Sequence, residues 1–210
     1  MAFKPDYGET LLGEEERDAL TAEARELLGD PVRKADLYDL EQQIQDGVAE
    51  EFVGQVIDGV LSASELLTDH FVRDLHDRLY GAVWEWGGRQ RSRETNIGIA
   101  PERIAVELRN SLGDLRYQWD HGSGVTPRAL GIAAHAALVH IHPFVDGNGR
   151  VTRLLADLVF LAAQDDDLVL AYDWDIDRRS YIRLLGEYDM TRNPMPLVEF
   201  IPVVALTEAD

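Results

Sequence analysis

The chain has 210 residues, with 39 Asp and Glu against 20 Lys and Arg, a net charge of -19, no cysteine and an apolar fraction of 45%. That apolar fraction supports a sizeable core. The missing cysteine excludes disulfides, thiolate catalysis and cysteine-ligated zinc, and so acidic a surface disfavours nucleic acid and favours a basic protein partner. No apolar run is long enough to cross a bilayer, and the opening Met1-Ala2-Phe3-Lys4-Pro5-Asp6 leads into acidic residues, so neither a span nor a signal peptide is expected and a cytoplasmic location is the simplest expectation.

Residues 14–28 read as a first helix. Glu14-Glu15-Glu16 suit its positive end, and Gly29 before Pro31 stops it. A second helix over about 35–58 puts Leu37, Leu40, Ile44, Val48 and Phe52 at helical spacing, against the propensity of Gly47 and Gly54. A third, about 69–83, carries Phe71, Leu75 and Leu79 on one face, capped by Thr68 or Asp69. Trp86-Gly87-Gly88-Arg89 reads as a turn. Residues 89–99, ending in Asn96-Ile97-Gly98-Ile99, read as a short hairpin.

Pro101 opens a helix carrying Ile104, Leu108, Leu112, Leu115 and Trp119, and His121-Gly122-Ser123-Gly124 is a loop. Thr126-Pro127 caps and starts a helix of about 127–140 that is rich in Ala, Leu and Ile and looks buried on most sides. It ends at His142-Pro143, because the residue before proline avoids helical geometry. A second apolar helix, about 149–163, follows, then helices near 175–187 and 195–203. There is no internal repeat. The expected fold class is all-α, with one small β element at 89–99.

The chemistry gathers in the polar segment between the two apolar helices, His142-Pro143-Phe144-Val145-Asp146-Gly147-Asn148-Gly149-Arg150-Val151-Thr152-Arg153. A helix beginning at Gly147-Asn148-Gly149 offers free N–H groups and a positive dipole end, which together attract anions. The glycines let a phosphate approach the backbone. Arg150 and Arg153, three apart, lie on one face of the first turn and can grip further phosphates. Asp146 is a hard oxygen ligand suited to Mg²⁺. His142 titrates near neutrality and stands just before the anion site. Base, metal ligand, anion hole and arginine pair describe phosphoryl-group transfer.

The segment matches the Fic family signature HPFx[D/E]GNGRxxR at every defined position. Trp84-Glu85-Trp86-Gly87-Gly88-Arg89-Gln90-Arg91 resembles the family's W-A-G-x-x-R segment with Gly87 in place of alanine, and Thr95-Asn96-Ile97-Gly98-Ile99 falls where the family has a flap hairpin. The resemblance covers roughly residues 37–203, leaving 1–36 as an N-terminal helical extension and 204–210 as a tail. Leu40-Glu41-Gln42, with the tryptophan and Asn96-Ile97-Gly98 segments, is similar to the subgroup called mobile mystery protein B.

The resemblance implies an all-α bundle with a β-hairpin flap over the site, and transfer of AMP from ATP to a Tyr, Thr or Ser hydroxyl of a target protein. His142 would take the hydroxyl proton and Asp146 would hold Mg²⁺. The amides of Gly147, Asn148 and Gly149, with the Asn148 side chain, would cradle phosphate, and Arg150 and Arg153 would hold the β- and γ-phosphates. The flap backbone at Thr95, Asn96, Ile97 and Gly98 would dock the target as an added strand. Phe144 would anchor the loop in the core. Gly149 stands where phosphorylating Doc relatives have lysine, which favours AMP transfer.

Many Fic proteins carry an inhibitory glutamate that pairs with the second motif arginine. Glu41 is the best candidate here, although Leu37 and Gln42 depart from that pattern, and its bland alternative is a solvated helix face. Such a glutamate could instead support AMP removal at the same site. An antitoxin-like protein could supply inhibition, and self-association is compatible with the sequence. The non-enzymatic alternative is an ATP-binding interaction module. A zinc site of His135, His140 and His142 is disfavoured, because spacings of five and two do not share a helical face. His70 and His76 read as surface or helix-packing residues, Trp84, Trp86, Trp119 and Trp174 as core, and Asp165-Asp166-Asp167 as a solvated loop. Tyr181 or Tyr188 could contact adenine.

Overall fold

The computed structural model describes residues 11–165 and 169–205, so Asp166 and Asp167 of the acidic loop lie outside the described residues while Asp165 is exposed. The order is α1 (Glu14–Asp18), α2 (Ala22–Leu28), α3 (Lys34–Ile57), α4 (Ala63–Leu66), α5 (Asp69–Tyr80), a 3-10 turn at Pro101–Arg103, α6 (Ile104–Asp120), α7 (Pro127–Ile141), α8 (Asn148–Ala163), β1 (Leu170–Tyr172), α9 (Arg178–Thr191), α10 (Met195–Phe200) and β2 (Val203–Ala205). The expected all-α class with one small β element is therefore found. The element itself is elsewhere: β1 and β2 pair antiparallel, Ala171 opposite Val204. Residues 89–99 form no ladder, only a single bridge between Gln90 and Phe144.

The chain divides into two compact units. One comprises the residues up to Glu51 together with Arg73–Arg89. Its expected first helix breaks in two, because the Thr21 N–H bonds Val83 O at 2.9 Å and Leu20 bridges Trp84, while Thr21 Oγ1 caps α2 through Ala24 N. Helical spacing cannot register such a long-range pairing. Trp84 and Trp86 stack with ring centroids 5.2 Å apart. A Cβ on Gly87 would stand 2.4 Å from the Gly81 Cα, which explains glycine there rather than alanine. His76 is buried and accepts the Gly88 N–H through Nδ1 at 2.9 Å. Glu41 is not on a solvated face: it is buried and accepts the Trp84 indole N–H at 2.7 Å.

The other unit comprises Phe52–Val72 and the residues from Gln90 on. Its centre is α7, whose residues from Leu130 to Leu138 are all buried. Thr126 caps this helix by accepting Ala129 N, and Pro127 occupies its first turn, where a missing N–H costs nothing. Helix α8 packs closely on α7 at Gly131. A Cβ there would meet Tyr172 Oη at 2.5 Å and Ala156 O at 2.7 Å. Phe160, Tyr172, Leu184, Tyr188, Leu197 and Ile201 bring β1, α9 and α10 into the same core. Among the described residues, no helix is long and apolar enough to cross a membrane.

Candidate active site

The site begins where α7 stops. His142 closes the helix by donating its N–H to Leu138 O at 2.8 Å, then turns left-handed at φ 52°, ψ 63°. An L-residue there is strained by about 1–2 kcal/mol. Buried Arg91 holds the turn: Nε donates to His142 O at 2.7 Å, Nη1 to Arg93 O at 2.9 Å and Nη2 to Ile99 O at 2.5 Å, while the Arg91 N–H bonds Pro143 O at 2.9 Å. The expected flap is thus laid along 141–144 by one guanidinium rather than by a strand partner. Gly98, at φ 93°, seats it directly against His142, since a Cβ would lie 2.5 Å from His142 Cβ.

Gly147, at φ 73°, turns the chain into α8. Phe144 is fully buried, as expected of an anchor. The Asn148 side chain corrects its expected role. Its Oδ1 accepts the Phe144 N–H and its Nδ2 donates to Phe144 O, both at 2.9 Å, so it closes the loop rather than reaching for phosphate. The backbone N–H groups of Asn148 and Gly149 remain at the open helix end, where no carbonyl four residues earlier can take them. The Gly147 N–H is taken by Asp146 Oδ1 at 2.7 Å.

A cleft of about 680 Å³ opens over this helix end. It is lined by His142, Asn148, Gly149 and Arg153 on one side and by Trp174, Ile176, Tyr181, Ile182 and Leu185 on the other. The flap contributes Ile97, while Thr95, Asn96 and Gly98 lie in the exposed segment beside it. Asp146 and Arg150 are exposed at the loop and are not lining residues of the cleft. Of the expected arginine pair, Arg153 lines the cleft, while Arg150 is exposed and does not. Tyr188 lines a separate cavity of about 590 Å³ between α6, α7 and α10, so only Tyr181 of the two tyrosines reaches the His142 cleft.

Burial pushes the His142 imidazole below its ordinary value, the Arg91 charge adds to that, and Asp146 opposes it. The neutral, proton-accepting form is therefore favoured at neutral pH. Burial pushes Asp157 up to about 7, against the Trp174 hydrogen bond and the Arg153 charge, which both lower it. It pushes His135 down to about 4. The three histidines go to three surroundings. His135 Nε2 lies 2.7 Å from Tyr181 Oη, His140 sits between Asp189 and Arg192, and His142 faces the cleft.

Sequence reasoning missed two contributors. Trp174, expected in the core, packs against it and also walls the cleft, and Arg91 has no role in the sequence reading. Arg91 ends the tryptophan-glycine segment, so its place in that pattern was the available signal.

Residues 66–160 match the model of the Fic/DOC family. It is similar to the protein adenylyltransferase Fic of Drosophila sechellia and of Drosophila melanogaster, 31% identical to each over 133 residues. Those residues are 62% of this chain and 26% of each relative, so the chain spans about a quarter of the length of the curated proteins it matches. Among solved structures it resembles the N-terminal Fic domain of a Bartonella quintana cell filamentation protein with bound ADP (TM-score 0.61, 18% identity, 86% of this chain and 90% of that one). It also resembles the BepC protein of Bartonella tribocorum with bound AMPPNP (TM-score 0.56, 17% identity, 86% and 96%). These structures share its fold.

Proposed function

We propose that the cleft binds ATP and that the protein transfers AMP from it to a Tyr, Thr or Ser hydroxyl of another protein. One observation carries this reading: an imidazole, an open helix N-terminus and an arginine line one cleft, and burial lowers the imidazole's pKa. In the proposed step the hydroxyl oxygen attacks the α-phosphorus and its proton passes to His142. The bond to the oxygen bridging the α- and β-phosphates breaks, and pyrophosphate leaves. The amides of Asn148 and Gly149 and the guanidinium of Arg153 receive phosphate charge, with exposed Arg150 also available. The exposed flap at 95–98 docks the target chain as an added strand.

Asp146 suits Mg²⁺ shared with phosphate oxygens, since that cation is commonly held by one or two carboxylates plus substrate phosphates. Among the described residues no group of three or more His, Cys, Asp or Glu could hold a metal alone. Asp146 would hold the cation, which when bound would offset the negative charge of the phosphates. The names of the adenylyltransferase relatives and the nucleotides in the related structures support the same reading.

The test uses ATP labelled at either phosphate. Label from the α-phosphate should appear on protein, label from the γ-phosphate should not, and His142→Ala should abolish transfer while ATP still binds. Label from the γ-phosphate would mean phosphorylation instead. We also propose that Glu41 restrains activity, within the same chain or alongside an antitoxin-like partner. Glu41→Gln keeps an acceptor for the Trp84 indole and removes the charge. It should raise auto-modification, and unchanged labelling would count against a brake.

A further inference from the structure

The cleft has two unlike walls. One is the polar start of α8; the other holds two aromatic side chains, each hydrogen-bonded to a titratable group that is not itself a lining residue, half-buried Asp157 and buried His135. Trp174 Nε1 lies 3.1 Å from both carboxylate oxygens of Asp157. Tyr181 Oη lies 2.7 Å from Nε2 of fully buried His135. The His135 and Trp174 rings are also in contact, with centroids 5.0 Å apart and planes at 48°. Asp157 follows Arg153 by one turn of α8, so the helix that offers phosphate ligands also supports the aromatic wall.

A carboxylate and an imidazole behind an apolar surface are unfavourable unless hydrogen bonding offsets the lost hydration. Here each is bonded to a side chain that faces the cleft. Apolar packing could have held two rings loosely, whereas a hydrogen bond to the indole N–H and another to the phenol fix their planes.

We propose that Asp157 and His135 are positioning residues that hold Trp174 and Tyr181 as a slot for the flat heterocycle of a nucleotide. This rests on the nucleotide reading above and adds to it the residues that set base recognition. Binding of the phosphates and binding of the base are then separable, because they use opposite walls.

The experiment measures binding of ATP and of inorganic tripolyphosphate by calorimetry on the whole chain, with circular dichroism to check the fold. Asp157→Asn and Asp157→Ala both remove the charge near Arg153, but only Asn keeps an acceptor for the Trp174 indole. Asp157→Ala should bind ATP about tenfold more weakly than Asp157→Asn, the scale of one base stack, with tripolyphosphate within about twofold. Tyr181→Phe keeps the ring and loses the bond to His135. It should weaken ATP by about threefold, a typical hydrogen-bond increment, and it carries the test if Asp157→Ala does not fold. Equal ATP affinity across these variants, or a parallel loss for tripolyphosphate, would overturn the inference and leave the nucleotide reading standing. A wild-type chain that binds neither ligand would overturn both.

Discussion

His142 carries an unusual combination for one residue: a left-handed backbone, a half-buried ring and a neighbouring arginine. The His-Pro dipeptide announced that the helix must stop, since a residue before proline avoids the helical region. It did not announce the left-handed turn, which depends on Arg91, 51 residues away in the chain. Because burial and the Arg91 charge lower the His142 pKa, its protonated form is disfavoured and the base stays available below the usual histidine range. The acid limb of kcat/KM for transfer should therefore lie below pH 6.5, and a pH profile with its limb at or above that value would contradict this. Asp157 supplies a second residue-scale prediction. Its folded pKa is raised from 3.8 to about 7, so between those values the folded state keeps a proton that the unfolded chain has lost. Stability from this group falls as pH rises through that window, by at most about 1.4 kcal/mol per pH unit, and the full cost is present above it. Asp157→Asn does not titrate, so its stability relative to wild type, read from urea midpoints, should grow from about pH 4 to about pH 7 and then level. A flat difference would contradict the assignment. His135 opposes this slope in both chains, since its folded pKa is depressed to about 4 and its contribution is lost as pH falls from 6.5 toward that value.

At the scale of elements, α7 and α8 were legible almost to the residue, because each carries its own punctuation: Thr126-Pro127 at one start, His142-Pro143 at one stop, and glycines at the other start. The segment 89–99 was misread as a hairpin because alternation and glycine cannot reveal a side chain that replaces a strand partner. Arg91 is that side chain. Arg91→Met should leave the carbonyls of His142, Arg93 and Ile99 without this donor and cost on the order of 3 kcal/mol, seen as a lower urea midpoint. Stability within about 0.5 kcal/mol of wild type would argue against the role given to it. Gly98→Ala should act differently. Its Cβ would collide with His142 and crowd the Arg91 guanidinium, so transfer should fall by about tenfold or more, while nucleotide affinity stays within about twofold. The break of the expected 14–28 helix has the same origin as the flap error, a pairing between Leu20-Thr21 and residues 83–84 that no local pattern encodes.

At the scale of the whole molecule, the composition spoke for a helical core and an acidic surface, and the twelve-residue motif spoke for the polar wall of the cleft. The aromatic wall was not legible. Asp157 and Trp174 are 17 residues apart, and His135 and Tyr181 are 46 apart, so only the packing of α7, α8 and α9 brings them together. A net charge of -19 repels a nucleoside triphosphate except at a local concentration of amides and guanidinium, and the open end of α8 with Arg153 is such a place. The most direct test is a crystal structure of the whole chain with Mg²⁺ and a non-hydrolysable ATP analogue. The account predicts phosphate oxygens on the amides of Asn148 and Gly149 and on Arg153, the α-phosphate facing His142, and the base between Trp174 and Tyr181. A nucleotide seated in the cavity beside Tyr188 and Arg192, with the His142 cleft empty, would contradict it.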